Sequence, residues 1–227
     1  MTSHELARYI DHTALKPETT EDQIRGLCAE AQRYGFAAVC INPCYVPLAA
    51  SLLEGSGVAV CTVIGFPLGA NQTITKVAEA VQALRDGARE LDMVLNIGWL
   101  KSGQLEAVRD DIRAVVDVAH SAQPRARVKV ILETALLTEA EKITACQLAL
   151  EAGADFVKTS TGFLGGGATV EDVALLRRVV GDRMGVKASG GIRTRAQAEA
   201  LLAAGATRLG TSSGVALLSD AAAEAAY

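Results

Sequence analysis

An α/β barrel of eight parallel strands is the fold class that the sequence predicts, on three observations. Eight short apolar runs alternate with stretches whose apolar residues recur at helical spacing, with no linker or low-complexity break between them. Half of the 227 residues are hydrophobic but only 4% are aromatic, so the core is built of Val, Leu, Ile and Ala, as in parallel sheets covered by helices. No GxGxxG follows the first run, and Gly165-Gly166-Gly167 comes after a later one with the wrong spacing, which disfavours an open doubly wound sheet. One domain over residues 1–227, closed as a TIM-type (β/α)8 barrel with a short C-terminal tail, is the expected organisation.

The runs fall at residues 9–12, 37–41, 58–64, 90–95, 128–133, 156–158, 185–187 and 208–210. Between them lie helical patterns such as Val77, Val81 and Leu84, and later Ile143, Cys146 and Leu150. Thr20-Glu21-Asp22-Gln23 and Thr138-Glu139-Ala140-Glu141 read as capping boxes, in which the threonine oxygen meets orphan amides and the Gln or Glu reaches back. Gly87, Gly153 and Gly205 each stand where a helical pattern stops and the next apolar run begins, as helix-ending glycines do.

Composition also excludes partners. The net charge of -4, with basic residues scattered among acids, offers no stripe for a nucleic-acid backbone. No apolar run reaches the ~20 residues needed to span a bilayer, and His4, Glu5 and Arg8 interrupt any signal-peptide core, so no membrane association and a cytoplasmic location are expected. The five cysteines (28, 40, 44, 61 and 146) form no CxxC pair and read as reduced thiols. Cys40 and Cys44 lack zinc spacing and a nearby histidine, and neither a metal nor a cofactor is expected. Cys40, at a strand end, is expected to line a pocket and to be open to electrophiles.

Chemistry concentrates at strand ends, where a barrel carries its active site. Lys158 closes the run Phe156-Val157-Lys158 before Thr159-Ser160-Thr161-Gly162, and Lys187 closes Val186-Lys187 before Ala188-Ser189-Gly190-Gly191. A lone lysine there is ordinarily a solvated end residue. Two on adjacent strands, each followed by small residues, suggest an amine nucleophile kept partly neutral by desolvation and a neighbouring cation. Asp92, an acid within Leu91-Asp92-Met93-Val94, needs a partner: either an internal salt bridge or a carboxylate facing the lysines as a proton relay. Asp11, before His12 and Thr13, is expected to bond a substrate hydroxyl or cap the next turn. The small-residue loops Ser189-Gly190-Gly191 and Gly210-Thr211-Ser212-Ser213-Gly214 follow the last two strands, where barrels often hold phosphate.

These residues resemble the deoxyribose-phosphate aldolase family of class I aldolases, nearly end to end. The strongest motifs are Phe156-Val157-Lys158-Thr159-Ser160-Thr161-Gly162, Val186-Lys187-Ala188-Ser189-Gly190-Gly191-Ile192-Arg193 and Glu90-Leu91-Asp92-Met93-Val94, with support from Asp11-His12-Thr13 and Gly210-Thr211-Ser212-Ser213. The resemblance implies a TIM barrel and a metal-independent, reversible cleavage of 2-deoxy-D-ribose 5-phosphate to D-glyceraldehyde 3-phosphate and acetaldehyde. It implies that Lys158 forms the Schiff base, that Lys187 holds down its pKa and that Asp92 serves proton transfer. Phosphate binding is implied for Gly190, Gly191 and the loop from Gly210 through Ser212 to Ser213, and Thr13, Thr161 and Gly162 join the expected substrate contacts. Some family members end in a tail whose terminal tyrosine enters the site, which assigns Tyr227 to proton exchange at the enamine carbon, although 221–226 reads as helix-prone. The partner is then a small phosphorylated sugar, with a homo-oligomer, dimer or tetramer, implied as well.

Three rivals share the barrel. An isomerase of a sugar phosphate, with Asp92 or Glu133 as base, would form no covalent adduct. A phosphosugar-binding protein would bind without turnover, and a transaldolase would prefer ketose donors.

Overall fold

A computed structural model describes residues 1–219 of the chain. Its elements are α1 (Ser3–Ala7), β1 (Ile10–Ala14), α2 (Glu21–Tyr34), β2 (Ala38–Ile41), α3 (Val46–Leu52), β3 (Ala59–Ile64), α4 (Thr73–Arg85), β4 (Glu90–Val94), α5 (Ile97–Lys101) and α6 (Leu105–Ser121). They continue as β5 (Arg127–Ile131), α7 (Glu139–Glu151), β6 (Phe156–Lys158), α8 (Val170–Val180), β7 (Gly185–Ser189), α9 (Arg195–Ala203), β8 (Arg208–Thr211) and α10 (Gly214–Leu218). The strands close in sequence order, β1 through β8, with every pairing parallel and β8 returning to β1. The expected eight-stranded barrel is what forms. Tyr227 and the stretch 221–226 lie outside the described residues.

Local signals explain the helix boundaries. Both expected capping boxes form, with Thr20 and Thr138 accepting from the amides of Gln23 and Glu141, and two more do the same work at Thr2 and Thr194. Gly87, Gly153 and Gly205 sit just past helix ends with φ of 111°, 83° and 110°, where a side chain would be strained.

Strand ends differ from the sequence reading where pairing decides them. Leu132 and Glu133 fall beyond β5, because Glu133 turns into the left-handed region at φ 56°. Ser189 and Thr211 belong to strands rather than loops, since Ser189 pairs with Gly210 and Thr211 pairs with His12.

Strand alternation sorts the chain into two interiors. Val39, Ile41, Leu91, Met93, Val128, Val130, Val157, Val186 and Leu209 face the helices in one continuous apolar layer. Their alternating neighbours point into the barrel, where the contents are divided. Ala38, Cys40, Cys61 and Val63 from β2 and β3 make a small apolar cluster with Leu15. The other strands contribute buried Asp11, Glu90, Asp92, Lys129, Lys158, Lys187 and Arg208.

Candidate active site

Burying seven ionisable side chains in one barrel is tolerable only if charges are paired. The pairing runs across the barrel as well as along it. Asp92 Oδ2 accepts from Lys158 Nζ at 2.8 Å and from Lys187 Nζ at 2.7 Å, while Oδ1 accepts from Lys129 Nζ at 2.8 Å. Asp11 accepts from Lys187 at 2.5 Å and from Arg208 at 2.6 Å, and Lys129 stands 3.5 Å away. Glu90 meets Lys129 at 2.6 Å and Arg208 at 2.9 Å. Asp92 is therefore ion-paired internally, and its partners include both expected lysines.

The charges reinforce one another. Burial would raise the Asp92 carboxyl, but Lys129, Lys158 and Lys187 overcome it and hold it well below the usual carboxylate value. Asp11 is depressed in the same way, against burial, by Lys187, Lys129 and Arg208. For Lys187, burial favours the neutral amine, yet Asp11 and Asp92 prevail and its pKa is raised, so the group remains an ammonium. Lys129 is likewise raised, against burial, chiefly by Asp92.

Above this network a cavity of about 540 Å³ opens at the carboxyl ends of the strands. Lys158 is the member of the buried cluster that borders it. Thr13, Thr161, Gly162, Gly190, Gly191, Gly210, Ser212 and Ser213 also border it, so these expected residues are brought together with Lys158. Lys187, Asp92 and Asp11 lie beneath, inside the barrel. Asp11 is wholly buried and committed to Lys187 and Arg208, rather than capping a turn. Contrary to the expectation that it line the pocket, Cys40 is fully buried in the apolar cluster of β2 and β3, its Sγ 3.9 Å from Asp92. The even position that carries it faces the barrel axis below the cavity.

The rim is pinned by side-chain bonds to backbone. Glu133 accepts from the amide and hydroxyl of Thr161, fixing the turn after β6. Ser189 Oγ donates to Ser160 O at 2.6 Å, and Thr159 Oγ1 donates to Ser189 O at 3.1 Å, tying the ends of β6 and β7 together. Gly190 is at φ 88°, and a Cβ there would stand 3.0 Å from Gly167 Cα, so two backbones meet where a side chain would part them. Gly210 has a different reason: a Cβ would come within 3.0 Å of Lys187 Cε. Phe163 closes one side, its ring edge-on to Phe66 at 5.2 Å.

Sequence reasoning passed over Lys129, Glu90 and Arg208. The signal was present for Lys129, which stands alone between Val128 and Val130 just as Asp92 stands between Leu91 and Met93. His12 and Glu30, which also border the cavity, carried no such signal.

Cys40, Cys61 and Asp92 offer ligand atoms within 4.8 Å of one another, as do Asp11, Cys61 and Glu90. Neither trio suits a cation. The carboxylates already meet ammonium or guanidinium groups at 2.5 to 2.9 Å, and burial raises the Cys61 thiol, so it resists becoming a thiolate ligand.

A family model described as DeoC/LacD family aldolase matches residues 6–221. The chain is 59% identical over 222 residues to a deoxyribose-phosphate aldolase of Geobacillus sp. (strain WCH70), covering 98% of each chain. It is 58% identical over 226 residues to one of Halalkalibacterium halodurans, covering 99% of this chain and 100% of that one. Among solved structures, a putative deoxyribose-phosphate aldolase from Coccidioides immitis superposes with a TM-score of 0.92 at 48% identity, covering 96% of this chain and 86% of the other. The deoxyribose phosphate aldolase of Aeropyrum pernix, described as a unique tetrameric structure, gives 0.89 at 40% identity over 96% and 91%. With a closed barrel and a lysine cluster under the cavity at its carboxyl end, and with relatives matched over nearly their whole length, the chain belongs to the DeoC/LacD family of aldolases.

Proposed function

We propose that this chain is a Schiff-base aldolase that reversibly cleaves 2-deoxy-D-ribose 5-phosphate to D-glyceraldehyde 3-phosphate and acetaldehyde, with Lys158 as the amine. The observation that carries the reading is the placement of Lys158, which borders the cavity while sharing its carboxylate with Lys187. Four cationic side chains share three carboxylates in the cluster, so release of one proton, from the lysine that reaches the cavity, leaves the charges balanced.

The free amine attacks the sugar carbonyl, and loss of water gives an iminium. That cation is an electron sink, so breaking the carbon–carbon bond leaves a neutral enamine rather than a carbanion. Lys187 stays cationic beside the amine, and Asp92 receives the hydrogen bond of whichever nitrogen is protonated, which suits it to steering protons through the carbinolamine. Being held far below the usual carboxylate value, Asp92 orients the proton carriers and is a poor final base. The isomerase alternative loses its second base as well, since Glu133 is taken up by Thr161.

Gly190, Gly191, Ser212 and Ser213, on two neighbouring loops of the cavity, are assigned to the phosphate. Tyr227 keeps the role that the resemblance gives it. One domain over the whole chain, a cytoplasmic setting and association of copies as a dimer or tetramer complete the reading. All five cysteines are free, in keeping with a reducing compartment, and exposed Leu68 and Ile74 offer apolar surface for association. Among the described residues no helix is long and apolar enough to cross a membrane.

Intact-protein mass after borohydride reduction with acetaldehyde, followed by peptide mapping, tests the mechanism. A reduced adduct on Lys158, absent from Lys158→Leu, is expected, together with a loss of cleavage of roughly 10⁴-fold or more in that variant. Turnover by a protein that traps no adduct would overturn it.

A further inference from the structure

The mechanism leaves one buried titratable residue of the cavity wall without a task. On β1, Asp11 turns into the barrel, and the next residue, His12, turns the other way, beneath α2. Its ring is 3% exposed and lies 5.0 Å from the ring of Phe36. Nε2 stands 2.6 Å from Glu30 Oε2 on α2. Nδ1, equally buried, has no hydrogen-bond partner among the described residues.

What faces Nδ1 is the backbone of the turn that follows β8. A Cβ on Gly214 would stand 2.8 Å from Nδ1 and 3.1 Å from the Phe36 ring, so the turn closes directly on the imidazole and has room for it only because residue 214 is glycine. The same turn carries Ser212 and Ser213, and His12, Glu30, Ser212 and Ser213 border one cavity. The Glu30 carboxylate can only accept, so Nε2 carries the proton toward it, and in the neutral ring Nδ1 is left as an acceptor aimed at the turn. A buried acceptor without a donor is rare and calls for an explanation.

We propose that His12, oriented by Glu30, is a positioning residue for the phosphate group of the substrate: Nδ1 seats the backbone of the 212–214 turn in the conformation that receives phosphate. The inference rests on the aldolase reading and deepens it by assigning the preference for a phosphorylated sugar. Lys158 lies on β6 and reacts with the carbonyl end, so His12 acts on binding of the phosphate end and leaves adduct formation alone.

The test compares kcat and KM for 2-deoxyribose 5-phosphate and for unphosphorylated 2-deoxyribose in wild type, Glu30→Gln, His12→Leu and His12→Asn. In His12→Leu the preference for the phosphorylated sugar falls ~10-fold, through KM, because the turn loses the imidazole on which it closes. Glu30→Gln moves the ratio in the same direction by less, and His12→Asn, whose amide can present a polar atom near the place of Nδ1, restores part of it. Equal losses on both sugars, or an unchanged ratio in Glu30→Gln and His12→Leu, would overturn the proposal. Should His12→Leu not fold, Glu30→Gln decides alone, since Glu30 is half-exposed and its replacement keeps the shape. Trapping of acetaldehyde on Lys158 by borohydride needs no phosphate. Its absence from wild type would sink the aldolase reading, whereas its presence beside an unchanged sugar preference would sink only the role of His12.

Discussion

Four lysines of this protein are withdrawn from water, and two of them, Lys76 and Lys158, stand in opposite surroundings. Lys76, on α4, is fully buried between the helices and the barrel, with Nζ 2.6 Å from Asp111 and 3.0 Å from the carbonyl of Val94. Thr73 donates to the other oxygen of Asp111, so one cation and one carboxylate satisfy each other with no opening to solvent. Lys158 has the same kind of salt bridge, at 2.8 Å, but its carboxylate is shared with Lys129 and Lys187, and its tip borders a cavity. Burial alone therefore does not make a lysine a nucleophile. On the proposed mechanism, an excess of cations over carboxylates, together with a way out for the proton and a way in for a carbonyl, is what does so.

The sharpest way to break the contrast is to alter the sharing. Lys187→Met removes the competing ammonium from Asp92, and cleavage should fall by about 10²- to 10⁴-fold, the range for losing a positioned group in proton transfer. Steady-state rates beside adduct yield would show it, and a variant within a few-fold of wild type would mean that the excess charge is irrelevant. Lys76→Met should do the reverse. It strands Asp111 in the interior and costs about 3–5 kcal/mol of stability, read by denaturant unfolding, while the folded fraction still traps acetaldehyde on Lys158. If stability is untouched but adduct formation is lost, the two lysines are not independent. Replacing both partners, Lys76→Met with Asp111→Leu, should recover most of the loss.

A smaller effect tests the shared network by pH. Asp11 and Asp92 ionise more readily folded than unfolded because their lysine neighbours outweigh burial, so their contribution is complete above about pH 4 and is lost as pH falls through their depressed values. Lys129 and Lys187 are raised, so their contribution is complete below about pH 10 and is lost only as pH climbs further. Thermal unfolding midpoints should accordingly show no loss from this network between those limits. A decline centred near neutrality that Lys187→Met abolishes would contradict the assignment.

Most of the barrel was legible because strand and helix periodicity, capping boxes and helix-ending glycines are local features. Strand ends were less so, since Ser189 and Thr211 are held in the sheet by neighbours distant in sequence. The lysines were legible for a related reason: each ends an apolar run, a local irregularity. Lys129 had the same mark and was passed over because it lies mid-run. The linkage of Asp11 to Lys187 and Arg208, across 176 and 197 residues of chain, had no local trace at all. Cys40 failed in the other direction, its position at a strand end suggesting access that the inward-facing pleat denies it.

The glycine at position 210 ties the rim of the cavity to the buried lysine cluster through a single missing methyl group. It sits beneath loops assigned to the phosphate, yet the space beside its α-carbon is filled by the stem of Lys187. A Cβ at that point of β8 would press at 3.0 Å on both Lys187 Cε and Ser189 Cβ, so the stem that carries one of the ammonium groups on Asp92 would have to give way. On the proposed assignment, attempts to retune this barrel for substrates without phosphate should therefore spare position 210, because a change there would also be felt at Lys187.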